Sequence, residues 1–443
     1  MGFLETRRFR LGFATLVLFT GIAGDFWRDL LTWYGWGVFV AAIVVGAILL
    51  LVHHRRDHRL RRLPYPLIAF LFLALVSIAW SDYRLASVMG VVAQVATTAS
   101  AVAVALVLSW AELLLVLGWV FRLVLGLSIV FELVVSAIIR HPIFPVWVTP
   151  DDPKHPAALL YWSRDLLFHL GKIQGIVGNS SLLGMAALIG LIVFVVQVLD
   201  HSVRRASGWA WVVVAVALIA ITRSATIFLG LAAVVIVAVA VLILRRAEAP
   251  RPRATAYAVI VVIVAAAATL AIVFHTQVLH LLGKSSDFTG RTDIWNAVIH
   301  LAQQRPAVGW GWVSYWVPWV APFDHLIVKG GVQVLHAHNA WLDVWLQLGI
   351  VGLVVFGAFV LSTLVRAWAL AVDRSITVPG VKGTYSWLAL LPLLVLVAQL
   401  IQSLAESRLI VEGGWMLLVI WATMTKWSRT VTTEPLGRPK VLR

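Results

Sequence analysis

The stretch His336-Ala337-His338-Asn339-Ala340-Trp341-Leu342-Asp343-Val344-Trp345-Leu346-Gln347-Leu348-Gly349-Ile350-Val351-Gly352-Leu353 marks the point where the longest polar segment of the chain gives way to a long apolar helix. At 3.6 residues per turn, His338, Leu342, Trp345, Gly349 and Gly352 fall on one face, and Asn339, Asp343 and Gln347 form a polar row beside it. Glycines on such a face let a second backbone come close, the usual way helices pack in lipid. His338 therefore stands at the mouth of a membrane helix. The expectation is a reactive group on a site that faces away from the cytoplasm.

Working outward, the composition fixes the class. Of 443 residues, 61% are hydrophobic and 12% charged, and the mean hydropathy is +0.94. No water-soluble core needs so much apolar surface, so the expected fold is all-α and polytopic, a single transmembrane domain over residues 1–443. The alternating ten-residue pattern of a membrane barrel is missing. There is no cysteine, which excludes disulfides and thiolate metal sites. Residues 1–10 are short and basic and lead straight into apolar sequence, so the first helix is expected to be retained rather than cleaved as a signal.

About twelve spans are expected, over residues 9–24, 30–52, 64–80, 86–108, 111–139, 176–199, 209–222, 223–245, 255–275, 340–365, 385–404 and 411–426. Two readings set the parity. Residues 209–245 are too long for one span and have arginine pairs at both ends, so they form a hairpin turning at Thr222-Arg223-Ser224. Ser109-Trp110-Ala111-Glu112 has the spacing of a capping box, so a new helix starts there. With both termini inside, cytoplasmic segments hold 22 Lys or Arg and outer segments 12, with Arg122 inside a span. That asymmetry orients the chain, and it accounts for the formal charge of +15 without nucleic acid as a partner. The 12 outer cations are nevertheless a surplus for that side.

Two outer segments are long. Residues 140–175 are rich in Pro, Asp and His, and residues 276–339 carry an amphipathic helix in which Ile294, Trp295, Val298, Leu301 and Ala302 share a face, ended by Arg305-Pro306. Together they are expected to form a small extracytoplasmic cap. No internal repeat is visible, which counts against a two-fold transporter.

Several residues could carry chemistry, each with a plainer alternative. Arg223 opens a helix and could hold an anion, or could snorkel at the interface. Arg291, at the head of the amphipathic helix, reads as a solvated or Asp293-paired charge, and Lys172 as a flanking charge. His338 at a helix N-terminus would favour the neutral imidazole that accepts a proton; an interfacial capping histidine is the alternative. His336-x-His338 lacks a carboxylate cluster nearby in sequence, so no metal is expected. Trp310, Trp312, Trp316 and Trp319 crowd one loop with Tyr315, either as an interfacial belt or as stacking surfaces for sugars. Glu132, Asp343 and Glu406 are acids at or in spans and should be paired, with Arg408 a plausible partner for one of them.

Taken in order, these motifs resemble the O-antigen ligase and polysaccharide polymerase superfamily, over about residues 64–425. The resemblance rests on His338-Asn339 followed by Gly349-x-x-Gly352, on Gly290-Arg291-x-x-x-Trp295 with Pro306-x-x-Gly309-x-Gly311, on Thr222-Arg223-Ser224, on Gly175-x-x-Gly178-Asn179 and on Trp80-Ser81. It implies a glycosyltransferase of the bacterial plasma membrane that needs no metal, cofactor or nucleotide sugar. The implied donor is a glycan on undecaprenyl diphosphate, and the acceptor a hydroxyl of a glycan or glycolipid. His338 would be catalytic, and Arg223, Arg291 and Lys172 would bind the diphosphate. Asn339, Asp343, Trp310, Trp312 and Tyr315 would contact glycan or acceptor. Lysine at 172, where such proteins often have arginine, cannot make a bidentate phosphate contact. Ligase and polymerase both remain open, as does a transporter of lipid-linked glycans.

Overall fold

The computed structural model describes residues 5–150, 156–169, 171–247, 249, 251–259, 291–329, 332–373 and 385–430. Among these, twelve helices dominate: α1 (Arg7–Ile22), α2 (Gly24–His53), α3 (Tyr65–Val76), α4 (Arg84–Val107), α5 (Trp110–Val134), α6 (Ser180–Leu199), α7 (Arg205–Thr222), α8 (Ala225–Arg246), α9 (Arg291–Ala302), α10 (Ala340–Val372), α11 (Leu391–Ser403) and α12 (Glu412–Thr430). Sheet is confined to β1 (Val328–Lys329) and β2 (Val332–Gln333), antiparallel with Val328 opposite Gln333. Seven of the described helices are long and apolar enough to cross a membrane. The fold is thus a multi-pass helical membrane bundle. Each expected span except the ninth coincides with a described helix, whereas most of 255–275 lies outside the described residues. Twelve crossings therefore remain an expectation.

Local chemistry sets the boundaries. The capping box holds: Ser109 Oγ accepts from Glu112 N (3.3 Å) and Glu112 Oε2 from Ser109 N (3.1 Å). Between α7 and α8 the chain reverses at Arg223, which is left-handed at φ 46°. The buried acid Glu132, in the last turn of α5, accepts from Ser163 Oγ (2.9 Å), Gln174 N (2.9 Å) and Gly175 N (2.7 Å), pinning the described part of the 140–175 loop to the bundle.

Contacts sort the helix ends into two sets. At one end, Arg7 pairs with Glu112 (3.3 Å), Arg10 donates to Val107 O (2.7 Å) and Lys426 to Leu63 O (2.8 Å). There too Arg366 approaches Thr425 (3.4 Å) and Arg245 donates to Ala371 O (2.7 Å). At the opposite end, Ser181 meets Ser224 (3.4 Å), and Trp341 Nε1 donates to Ser403 Oγ (3.1 Å). Both limits of the described chain lie at the first end. The stretch around His338 lies at the second.

That stretch departs from the simple helical reading. His338 precedes α10 and is left-handed at φ 49°, so it does not belong to the helical face inferred for it. Helix α10 is broken at Gly349 (φ 66°, ψ −166°), which resets the phase of everything after it. The break is filled by another segment: Ile350 N donates to Pro306 O (2.9 Å) and Val351 N to Ala307 O (3.1 Å), while Trp310 N and Gly311 N donate to Leu346 O (3.0 Å) and Gln347 O (2.8 Å). A Cβ on Gly349 would run into the Ala307 carbonyl. The glycine serves a backbone-to-backbone splice rather than the packing of two intact helices.

Candidate active site

The splice draws residues 306–316 down among the helix ends as a re-entrant loop. Trp80 Nε1 donates to Val308 O (3.3 Å), Ser77 Oγ accepts from Trp312 N (3.0 Å), and Gln347 Oε1 accepts from Val313 N (2.8 Å) and Ser314 N (3.0 Å). Non-helical backbone survives at such depth only where protein satisfies its polar groups. The polar row inferred on α10 does this work from within. Asn339 caps α10, accepting from Trp341 N (3.0 Å) and Leu342 N (3.2 Å). Asp343 is fully buried and accepts from Trp316 Nε1 (2.9 Å), Ala337 N (3.0 Å) and Ser407 Oγ.

Four residues of the 336–343 stretch are stitched to the last residue of α11 and the segment after it: Trp341 to Ser403, Asn339 Nδ2 to Leu404 O (3.3 Å), His338 to Glu406, and Asp343 to Ser407. Glu406 is the centre of the arrangement. Its Oε2 lies 3.0 Å from His338 Nδ1 and its Oε1 accepts from Arg291 Nη2 at 2.7 Å. Burial alone would push the Glu406 carboxyl up; the His338 hydrogen bond and the Arg291 guanidinium beside it outweigh burial and hold the group below the ordinary carboxylate range. An ionised Glu406 accepts Nδ1–H, and in the neutral imidazole this arrangement puts the lone pair of His338 on Nε2. The imidazole is held in the tautomer a general base needs.

His336 packs against this group, its ring centroid 4.0 Å from that of His338 and 6.0 Å from that of Tyr315. Burial, the largest cause, lowers its imidazole to about 3, so His336 is neutral. One ligand atom each of His336, His338 and Glu406 lies within 4.8 Å of the others, a spacing that could admit a cation. Charge opposes it: the Arg291 guanidinium already occupies Glu406, and His336 Nδ1 accepts from His338 N (3.1 Å).

The remaining expected site residues are distributed unevenly. Arg223 is exposed and has no side-chain partner among the described residues; it lies at the same end of the bundle as the Arg291–Glu406–His338 chain but in no contact with it. Lys172 is also exposed, and its backbone carbonyl accepts from Arg164 (3.4 Å). Trp312 is fully buried against Phe70, so it cannot stack on a sugar, and Asp343 is equally sealed. Both are corrected from glycan contacts to supports. Asn339 spends its carbonyl oxygen on the helix cap. Trp310 donates to Leu301 O (3.0 Å), has the Arg305 guanidinium 4.1 Å from its ring centre and packs, half-buried, against the cluster around Ile294 and Val298. Arg408 pairs with Glu412 and Asp25 (3.4 Å), not with Glu406.

The partnership of Glu406 was out of reach of sequence reasoning because it joins residues 115 and 68 positions apart. Only its position as an acid at the end of a span marked it out.

Residues 210–357 match the family described as O-antigen ligase. The matched range runs from within α7 into α10 and includes Arg223, Arg291 and His338. A stretch of 81 residues is 32% identical to the exopolysaccharide production protein ExoQ of Rhizobium meliloti (strain 1021). That stretch spans 18% of this chain and 19% of ExoQ. The chain is similar to the O-antigen ligase family over residues 210–357, about a third of its length, and it spans about a fifth of the length of the curated relative it matches. Glu406 lies outside the matched range.

Proposed function

We propose that this protein is a metal-independent glycosyltransferase of the bacterial plasma membrane, with both termini cytoplasmic and the His338 end outside. It would transfer a glycan from undecaprenyl diphosphate to an acceptor hydroxyl. The observation that carries this reading is the Glu406 carboxylate bound on one oxygen by Arg291 and on the other by His338 Nδ1. The acceptor hydroxyl gives its proton to His338 Nε2 as its oxygen bonds to the anomeric carbon. The bond from that carbon to the phosphate oxygen breaks, and the lipid diphosphate leaves with the electron pair. Glu406 stabilises the imidazolium that forms. Arg223 and Lys172, with the guanidinium N–H groups of Arg291 that Glu406 does not use, balance the charge growing on the leaving group. Tyr315, Asn339 Nδ2 and the accessible edge of the half-buried Trp310 are the glycan contacts; Trp319, 75% exposed, offers a further ring.

Polymerisation of lipid-linked repeats uses the same chemistry with a second lipid-linked glycan as acceptor. In the test, purified protein receives a defined undecaprenyl-diphosphate oligosaccharide. One transfer to an added acceptor marks a ligase, a ladder marks a polymerase, and movement across the bilayer without covalent change marks a transporter and refutes the proposal. His338→Ala should abolish transfer while the protein stays monodisperse.

A further inference from the structure

Arg122, a cation inside the span formed by α5, takes no part in the candidate site. Arg28, Arg291 and Arg408 each pair with a carboxylate, whereas Arg122 has no acidic partner among the described residues. Its hydrogen bond runs from Nη2 to Gln197 Oε1 (2.8 Å). Gln197 is fully buried and is itself fixed, donating from Nε2 to Leu114 O (3.1 Å). The guanidinium lies 5.0 Å from the ring centre of Phe194, which is also fully buried. Gly118 makes the room, since a Cβ there would run into Gln197 Nε2 and Arg122 Nη1. An arginine that merely reaches for water keeps its rotamer freedom. This one is held in place. Its Nε and Nη1 make no hydrogen bond and are not sealed from a probe the size of water, so they remain open to a ligand.

The surroundings set the depth. On α5, Trp119 and Leu123 flank Arg122 and are exposed, so this face looks out to lipid. Trp211 of α7 lies against Phe194 (5.9 Å) and over Gly126, one turn beyond Arg122, closing the notch on that side. The Arg122 side chain runs back toward the start of α5, which brings its guanidinium level with Gly118. Gln197 stands ~3 Å before the end of α6. Its carbonyl accepts from Ser202 N (3.0 Å) and Ser202 Oγ (3.2 Å) in the turn toward α7. Arg204 and Arg205 follow in that turn, exposed and without a carboxylate partner among the described residues. Because Ser181 places the start of α6 at the candidate-site end, the notch lies at the opposite end, with Arg7 and Glu112. A fixed guanidinium with open N–H groups calls for an oxyanion, and its fork matches a phosphate. Where apolar helix meets a basic turn, a lipid headgroup supplies that phosphate.

We propose that Arg122 binds the headgroup phosphate of an anionic phospholipid in the leaflet at this end, with Arg204 and Arg205 selecting against zwitterionic heads. The inference stands apart from glycan transfer and is tested by binding alone. Full-length protein immobilised in detergent is titrated with radiolabelled phosphatidylglycerol, and unlabelled phosphatidylglycerol, phosphatidylcholine and inorganic phosphate compete. Saturable binding is expected, with phosphatidylglycerol competing about fivefold better than phosphatidylcholine, the worth of one cation at an anionic membrane surface, and millimolar inorganic phosphate not competing. Arg122→Gln should weaken binding by about the same factor, and Arg122→Lys, which keeps the charge and loses the fork, should fall between. Arg204→Gln with Arg205→Gln, at exposed positions, keeps the test open if Arg122→Gln does not fold: the pair should erase the preference for phosphatidylglycerol. Unchanged affinity in Arg122→Gln, an unchanged preference in the double variant, equal competition by phosphatidylcholine, or displacement by inorganic phosphate would each overturn the proposal.

Discussion

Glu406→Gln is the sharpest perturbation of the proposed chemistry. The amide is isosteric but carries one acceptor and one donor where the carboxylate has two acceptors. With Oε1 toward His338 Nδ1–H, the amide N–H₂ is turned toward the Arg291 Nη2 donor now 2.7 Å from Oε1 of the carboxylate. With the amide flipped, Arg291 keeps its acceptor, but the amide donates to Nδ1 and moves the imidazole proton to Nε2, the atom that must accept. Either geometry removes a partner, and neither stabilises an imidazolium. General-base catalysis contributes about 10²–10⁴-fold, or roughly 3–5 kcal/mol of barrier. The expected result is a kcat lowered by that factor at saturating donor, with KM for the lipid-linked glycan changed little. The assay is transfer from a fluorescent lipid-linked oligosaccharide in proteoliposomes, with chromatographic monodispersity as the control for folding. Glu406→Asp, a methylene shorter, cannot span both partners and should fall between. A Gln variant within about threefold of the parent would refute the coupling of Glu406 to His338.

Gly349→Ala should lower the thermal midpoint and abolish activity, because a left-handed φ of 66° and the Ala307 carbonyl both oppose a side chain there; a cost of about 1–3 kcal/mol from backbone strain alone is expected, and an unchanged midpoint would count against the splice. Gln347→Leu leaves Val313 N and Ser314 N without an acceptor, about 1–3 kcal/mol each, and should lose transfer although Gln347 touches no substrate; fluorescence-detected unfolding measures the first effect and the transfer assay the second. His336 has a folded value of about 3 against an ordinary value of 6.5, so as pH falls the unfolded chain takes the proton first and stability drains away between about 6.5 and 3. In His336→Asn that acid loss should shrink, as read from thermal midpoints across the interval. Saturating EDTA should leave the transfer rate unchanged, whereas loss restored by a divalent cation would reassign His336, His338 and Glu406 as a metal site.

Helices were legible because period and charge report them directly: the Arg-flanked run 209–245 read as a hairpin, and Ser109 with Glu112 marked a helix start that the capping bonds bear out. The amphipathic face of Ile294, Val298, Leu301 and Ala302 is buried as its spacing implied. The site was legible only in fragments. Periodicity assumes an unbroken helix, so it misplaced His338, which is not helical, and misread Gly349, whose purpose depends on a loop 40 residues earlier. Burial also escaped it. Trp312 and Asp343 look like surface chemistry in one dimension and are interior supports in three, because their partners Phe70 and Ser407 come from remote parts of the chain.

The break in α10 has a bearing on biogenesis. Residues 306–311 take their hydrogen-bond partners from residues 346–351, which leave the ribosome later. Until α10 has entered the bilayer, this loop has bare amides and carbonyls and no stable place below the membrane surface. The candidate site around His338 and Glu406 is therefore among the last parts to be completed, and a chain arrested before α10 would lack it.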